Sequence, residues 1–436
     1  MKRLLLVLLW FPFAGLGQNY TSYFTGNQTN ITTNPLGGVC LMGGASEDDN
    51  AMKWFLRRAE GGDVLVLRAS GSNGYNSYMF NLGIPVNSVE TIVFNNASAS
   101  NEPYIHQKIQ QAEAIWLAGG DQWDYIRYWR NTPVDSLINL AIQQRNVAVG
   151  GTSAGMAILG GYYFTARYGT VTSETALANP FNNKVNVDSA RFITNDFLGS
   201  VITDTHFDNP DRRGRLVVFL ARIYTDYGAL GKGIACDEYT AVCIDTNGMA
   251  GVFGSYPSYD DNAYFIQTNC ELADQSPENC TAGSPLTWYR GGEAIKVYRV
   301  KGTSTGSNTL NLNDWETGTG GTWLNWSANN GTFAEQPGDA IDCDPVSVHD
   351  HSIPGEITIF PNPSSDRVFI CSENLDLRDA RCAVFNLLGQ EMPIEQAFLN
   401  NNKVEISVSG HQPGVYFLRF TVNGNTLVRH TLICVK

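Results

Sequence analysis

Ser153 stands between two glycines in Gly151-Thr-Ser-Ala-Gly155. The apolar run at 147–149 ahead of it reads as a short buried strand, and the helix formers behind it read as a helix that starts at the serine. Strand, sharp glycine-lined turn, serine and helix compose a nucleophile elbow. Such a turn strains the serine and lets a carbonyl come close. It also aims the Ala154 N–H at any oxyanion that forms. A capping serine in a tight turn is the plainer alternative. A nucleophilic serine needs a base, and the base needs a carboxylate to orient it. The chain has only six histidines. His349 and His351 lie in a polar linker, His411 and His430 lie in the tail, and His106 falls early in an amphipathic helix, where it is expected to face solvent. His206 follows the end of a strand at 201–207 and is the expected base. Asp237 and Glu238 sit at the junction of two strands and supply the acid. Acids between the serine and the histidine (Glu174, Asp188, Asp196, Asp204) fit less well. Only Asp204 is near a strand end, and it is too close to His206 to orient it.

Around these residues, short apolar strands alternate with amphipathic helices. Strands are expected at 37–44, 63–68, 89–94, 114–118 and 147–149. Helices are expected from a Ser46 cap to about 59, and at 75–82, 102–112, 123–130 and 134–145. That alternation predicts an α/β fold, a mainly parallel sheet with helices on both faces. Gly43-Gly44, Ser70-Gly71, Gly119-Gly120 and Ser153 all fall at carboxyl ends of strands, where such sheets place their sites. Residues 19–35 read as an extended lead-in. Residues 248–300 read as a largely antiparallel edge. The tryptophans at 315, 323 and 326 are expected in the core rather than on a polymer-binding face. From 356 onward, regularly spaced strands at 357–360, 367–371, 381–385, 403–408, 414–420 and 426–435 predict a small all-β sandwich.

The chain starts with a basic pair and an apolar stretch at 4–13, the pattern of a signal peptide over residues 1–17. The expected domains are then a peptidase domain over 18–340, a linker over 341–355 and the sandwich over 356–436. With 29 Lys and Arg against 42 Asp and Glu, the formal net charge is −13. That balance argues against a nucleic-acid partner. Export permits disulfides, and nine cysteines leave at least one unpaired. Cys270–Cys280 is the preferred pair, with Cys371–Cys382 and Cys236–Cys243 as weaker ones. No Cys or His spacing has a zinc pattern, and no metal or cofactor is expected.

Four motifs in order, LAGGDQ (117–122), GGTSAGM (150–156), DTHF (204–207) with RRGRL (212–216), and GKGIACDEYTA (231–241), resemble the cyanophycinases. These are serine peptidases related to aspartyl dipeptidase and to class I glutamine amidotransferases. The resemblance spans roughly residues 36–300 and implies a class I glutamine amidotransferase-like, flavodoxin-like fold. It implies Ser153 as nucleophile, His206 as base and Glu238 as orienting acid, with an oxyanion hole at Gly120 and Ala154. It further implies a substrate pocket at Gln122, Asp204, Arg212 and Arg215, a homodimer, and cyanophycin or a related aspartyl peptide as substrate. Two positions depart from the family pattern. Thr205 stands where members that cleave cyanophycin often have Gln, and Pro210 stands where they have Arg. Arg213 is the candidate to replace the missing arginine. The last eighty residues, with FPNPSSDRVFI, PGVYFLRF and TLICVK, resemble the sorting domain of type IX secretion, which implies a secreted or surface protein. An esterase, or an inactive surface binding protein on the same fold, is the alternative reading.

Overall fold

The computed structural model describes residues 18–189, 193–343, 357–372, 376–386, 390–422 and 425–434. The expected signal peptide, most of the linker with His349 and His351, and the turns at Leu388-Gly389 and Asn423-Gly424 lie outside the described residues, as does the side chain of His430. The chain divides into two compact units, one up to Cys343 and one from Asp344.

The first unit begins with β1 (Tyr20–Gly26), β2 (Val39–Met42), α1 (Asp49–Arg57), β3 (Asp63–Arg68), α2 (Gly74–Phe80) and β4 (Ser88–Phe94). It continues through α3 (Pro103–Gln111), β5 (Ala114–Leu117), α4 (Gln122–Trp129), α5 (Pro133–Arg145), β6 (Ala148–Thr152) and α6 (Ala154–Ala157). Next come β7 (Tyr163–Phe164), α7 (Ser173–Ala178), β8 (Val187–Asp188), β9 (Val201–Asp204), α8 (Arg213–Tyr227), β10 (Lys232–Cys236) and β11 (Ala241–Ile244). The unit ends with β12 (Met249–Phe253), β13 (Asn262–Thr268), β14 (Ile295–Lys301), β15 (Asn308–Asn311), β16 (Gly318–Thr319), β17 (Gly321–Asn329) and β18 (Thr332–Pro337).

Two sheets carry these strands. The first has a parallel centre in the order β4-β3-β5-β6-β2. Its side chains alternate between faces with the period of two that a strand imposes. Leu65, Leu67, Ile115 and Leu117 enter one core, while Val64, Val66, Ala114 and Trp116 enter the other. Helices α1 and α2 cover the second face through Met52, Phe55, Leu56 and Met79. Helices α3 and α5 cover part of the first face through Ile105, Ile109 and Ile138. The expected mainly parallel sheet with helices on both faces is therefore present. Residues 19–35 differ from expectation, because β1 forms an edge strand antiparallel to β4. At the other edge, β11, β12, β15 and β16 add antiparallel strands.

The second sheet runs β18-β17-β14-β13-β10-β9 and is antiparallel except for the pair β9–β10. One of its faces, with Val201, Ile234 and Phe265, closes the first core over Val39 and Leu41 of β2. The other face packs on α8, whose residues 216–221 are all buried. Each large apolar side chain enclosed this way contributes about 1.5–3 kcal/mol. Trp326 and Trp315 are core residues, and Trp323 lies half-buried against Tyr298. The tryptophans thus serve packing, as expected.

Two local expectations are corrected. Helix α1 is capped by Asp48, whose carboxylate accepts from the Ala51 N–H at 2.8 Å, and not by Ser46. Cys270 bonds to Cys343 and not to Cys280. The chain after β18 returns beside Cys270, where the Asp342 N–H meets Glu271 at 3.2 Å. Cys280 instead packs against the core around α8. Cys371, Cys382, Cys236 and Cys243 are also free thiols.

The second unit pairs β19 (Ile357–Phe360), β20 (Arg367–Ser372), β24 (Lys403–Ser407) and β23 (Glu395–Asn400) in one antiparallel sheet. A second sheet holds β22 (Glu391–Met392), β21 (Arg381–Phe385), β25 (Gly414–Val422) and β26 (Asn425–Cys434). Val368, Ile370, Val404 and Ile406 of one meet Val384, Leu418 and Phe420 of the other, which makes the expected small sandwich.

Candidate active site

Ser153 leaves the end of β6 with φ 51° and ψ −117°. A non-glycine residue held there stores about 1–3 kcal/mol of strain. The surroundings enforce it. The Ser153 N–H donates to the Met42 carbonyl at 3.1 Å, and the Ser153 carbonyl accepts from Ala157 at 2.9 Å. Gly155 is the close approach that makes the turn fit, since a Cβ there would lie 1.9 Å from the Leu117 carbonyl oxygen. The helix behind the serine, α6, is only four residues long and so ends earlier than expected.

The other two expected residues come from the second sheet. β9 ends at Asp204, and His206 follows in a left-handed conformation, φ 46°. Its Nε2 is 2.8 Å from Ser153 Oγ. β10 ends at Cys236, and Glu238 follows two residues later. Its Oε1 is 2.6 Å from His206 Nδ1. A carboxylate only accepts, so Nδ1 carries the ring proton and Nε2 is free to accept from the serine hydroxyl. The loop after β2 joins the two sheets. The Gly43 carbonyl accepts from the His206 N–H at 2.8 Å, and the Gly44 carbonyl accepts from the Tyr239 N–H at 3.1 Å. A Cβ on Gly44 would sit 2.5 Å from the His206 ring. Sequence reasoning flagged this glycine pair only as a strand end.

The acidic pair separates into two roles. Glu238 faces the histidine, and its N–H donates to Asp208 at 2.9 Å. Asp237 turns inward, where its Oδ2 accepts from Asn262 at 2.9 Å and its Oδ1 is buried with no partner. Burial, with Asp208 nearby, pushes the Asp237 carboxyl up to about 7. Asp208 and Asn262 were not legible as site residues, because each acts through a loop whose path the sequence does not show. His106 is half-buried and meets the Ser100 carbonyl at 2.8 Å, away from the serine.

Gly119 approaches Ser153 most closely on the far side, with a Cβ there lying 3.6 Å from the serine Cβ. The Tyr125 hydroxyl reaches the Ala118 and Gly119 carbonyls at 2.8 and 3.1 Å. A trans peptide opposes its C=O and N–H, so the Gly120 N–H points away from Tyr125. The Ala154 N–H is the first of its helix and has no carbonyl within the helix to bond.

A cavity of about 220 Å³ opens onto Ser153 and His206, lined also by Gln122, Phe164, Asp204, Thr205, Arg212 and Arg215. Cavities of about 200 and 240 Å³ lie elsewhere, so volume alone does not mark the site, and neither contains a serine–histidine pair. Gln122 donates to the Phe164 carbonyl at 3.1 Å. Asp204 and Arg215 are almost fully buried and bonded to each other, with Nε to Oδ2 at 2.9 Å. Arg215 also donates to Thr170 Oγ1 at 3.1 Å and to the Val171 carbonyl at 3.2 Å. This pair shapes the wall and has no charge to spare. Arg212 differs. It donates to the Thr205 carbonyl at 2.9 Å, and its Nε is buried with no partner. Burial, and then Arg215 beside it, bring its guanidinium down to about 10. An anion in the cavity would relieve both costs. Arg213 is turned out of the cavity toward Asp211 at 2.9 Å and Glu335 at 3.2 Å. The structure therefore does not bring the expected replacement into the cavity. Among the described residues, no group of His, Cys, Asp and Glu is placed to hold a metal ion.

Residues 74–247 match the family model described as Peptidase family S51. The chain carries an S51 peptidase domain. Ser153, His206 and Glu238 all fall within the stretch that matches S51. Residues 358–434 match the Secretion system C-terminal sorting domain, so the chain also carries a secretion signal of that kind. The chain is 27% identical over 199 residues to the cyanophycinase of Trichormus variabilis, covering 46% of this chain and 59% of that protein. It is 30% identical over 146 residues to the cyanophycinase of Geminocystis herdmanii, covering 34% and 48%. It thus spans less than two thirds of the length of these relatives. A peptidase from an acI-B1 Actinobacterium matches at 15% identity with a TM-score of 0.38, covering 51% of this chain and 89% of that one.

Proposed function

We propose that the S51 domain is a serine peptidase that cleaves an aspartyl peptide, with cyanophycin as the first candidate. The observation that carries this reading is the connected chain Ser153–His206–Glu238, opening onto a cavity whose one uncompensated charge among its lining residues is Arg212. Ser153 Oγ attacks the scissile carbonyl as His206 Nε2 takes its proton, and Glu238 stabilises the imidazolium that results. The Gly120 and Ala154 N–H groups hold the oxyanion. The tetrahedral centre collapses as His206 returns the proton to the leaving amine, and water then releases the acyl-enzyme by the same route. Arg212 holds a carboxylate of the substrate through its fork of donors. No step needs a metal or cofactor. Export through type IX secretion by the C-terminal unit places the enzyme outside the cell or on its surface.

The test uses the full chain and Ser153→Ala with insoluble cyanophycin, following soluble dipeptide release. Wild type releases dipeptide, and the variant is slower by about 10⁴-fold or more. Silence from both, with a fluorophosphonate labelling Ser153 of wild type only, would remove cyanophycin and keep the nucleophile. A wild type that the probe does not label would remove the nucleophile as well.

A further inference from the structure

The loop between β7 and α7 forms one wall of the cavity through Ala166 and Thr170. It is fastened at both ends to other cavity residues. The Phe164 carbonyl holds Gln122, and Thr170 Oγ1 holds Arg215. Between these points the backbone is pinned. The Arg167 N–H donates to Thr165 Oγ1 at 3.2 Å, and the Gly169 N–H donates to the Ala166 carbonyl at 2.8 Å. The Thr165 N–H in turn donates to the Asn186 carbonyl at 2.9 Å. Arg167 and Tyr168 stand exposed at the tip of this turn.

The Arg167 guanidinium lies 5.0 Å from the Trp123 ring centre and 5.4 Å from that of Tyr168. Trp123 directly follows Gln122 of the cavity. Such cation–π contacts use no hydrogen-bond donor of the guanidinium. Among the described residues, those donors meet no carboxylate or carbonyl. Arg127, Arg213 and Arg222 instead bond Asp124, Asp211 and Asp226.

We propose that Arg167, in cation–π contact with Trp123 and Tyr168, is a second anion subsite at the cavity mouth. It takes a further carboxylate of the aspartyl peptide whose scissile residue is held at Arg212. The subsite rests on the peptidase reading above and extends it from one substrate carboxylate to two.

The test titrates full-chain Ser153→Ala into fluorescein-labelled deca-aspartate and follows anisotropy. Adding Arg167→Ala weakens binding about tenfold, and Arg127→Ala leaves it unchanged. Arg167→Lys, which keeps the charge but loses the fork of donors, falls between. Equal affinity with and without Arg167, or no binding of deca-aspartate at all, would overturn the subsite. Fluorophosphonate labelling, run in parallel on wild type and Arg167→Ala, reports the state of Ser153 separately. Loss of labelling in both is a failure of the nucleophile reading, while the anisotropy still decides the subsite.

Discussion

Around Ser153 the neighbours are chiefly backbone atoms of its own sheet, whereas His206 and Glu238, carried on a second sheet, are held chiefly by polar contacts. Gly155 meets the Leu117 carbonyl, and the serine amide is bonded to Met42 of the neighbouring strand. On the other side, Asp208 holds the Glu238 amide and the Gly43 carbonyl holds that of His206. At Gly151 and Gly155 the serine side has no room for an added atom. Away from the Gly43–Gly44 loop, the histidine side tolerates exchange of atoms as long as the bonds survive. Steric placement and hydrogen-bond placement should therefore fail differently.

The largest effect belongs to the steric side. Gly155→Ala puts a methyl into a backbone carbonyl that cannot move, and costs about 5 kcal/mol, enough to leave little folded protein. Thermal unfolding checks this, and a melting point within a few degrees of wild type would break the contrast. On the polar side, Glu238→Gln keeps shape and stability. It lowers turnover about 10³-fold because the neutral amide no longer fixes the tautomer or supports the imidazolium. A loss below about tenfold would remove Glu238 from the mechanism. The smallest effect is at Asp237. Its folded value near 7 lies above the ordinary carboxylate range, so the folded state holds the proton more tightly than the unfolded chain. The stability this gives is complete below about pH 4 and is lost as pH rises through 7. Asp237→Asn keeps the Asn262 bond and removes that slope, on the order of 2 kcal/mol between pH 5 and 8. Urea midpoints at the two pH values measure it, and an unchanged slope would place the titration elsewhere.

What the sequence made legible follows the same division. The elbow at Ser153 is local, so its glycines and flanking apolar run could be read directly. The choice between Asp237 and Glu238 is not local. It depends on which side chain turns inward to Asn262, and spacing leaves both open. The runs at 233–238 and 240–245 both read as strands, yet β10 and β11 within them belong to different sheets. A short apolar run carries no mark of the sheet it joins. The arginines were more legible than they were read. Arg212 and Arg215 are three apart at a helix start and share a face, while Arg213 is turned about 100° from Arg212. Disulfide connectivity could not be deduced from spacing, and Cys280 shows why. Its place was set by packing near α8 and not by nearness to Cys270 along the chain.

The bridge from Cys270 fastens Cys343, the last residue of the first unit. A protease that severs the chain anywhere past that residue creates a new terminus that is already knotted to the body of the enzyme. Unzipping of β18 and then β17 from that end is blocked at its first step. The C-terminal unit can therefore be shed as cargo wrapping is shed, with the part left behind sealed at the cut.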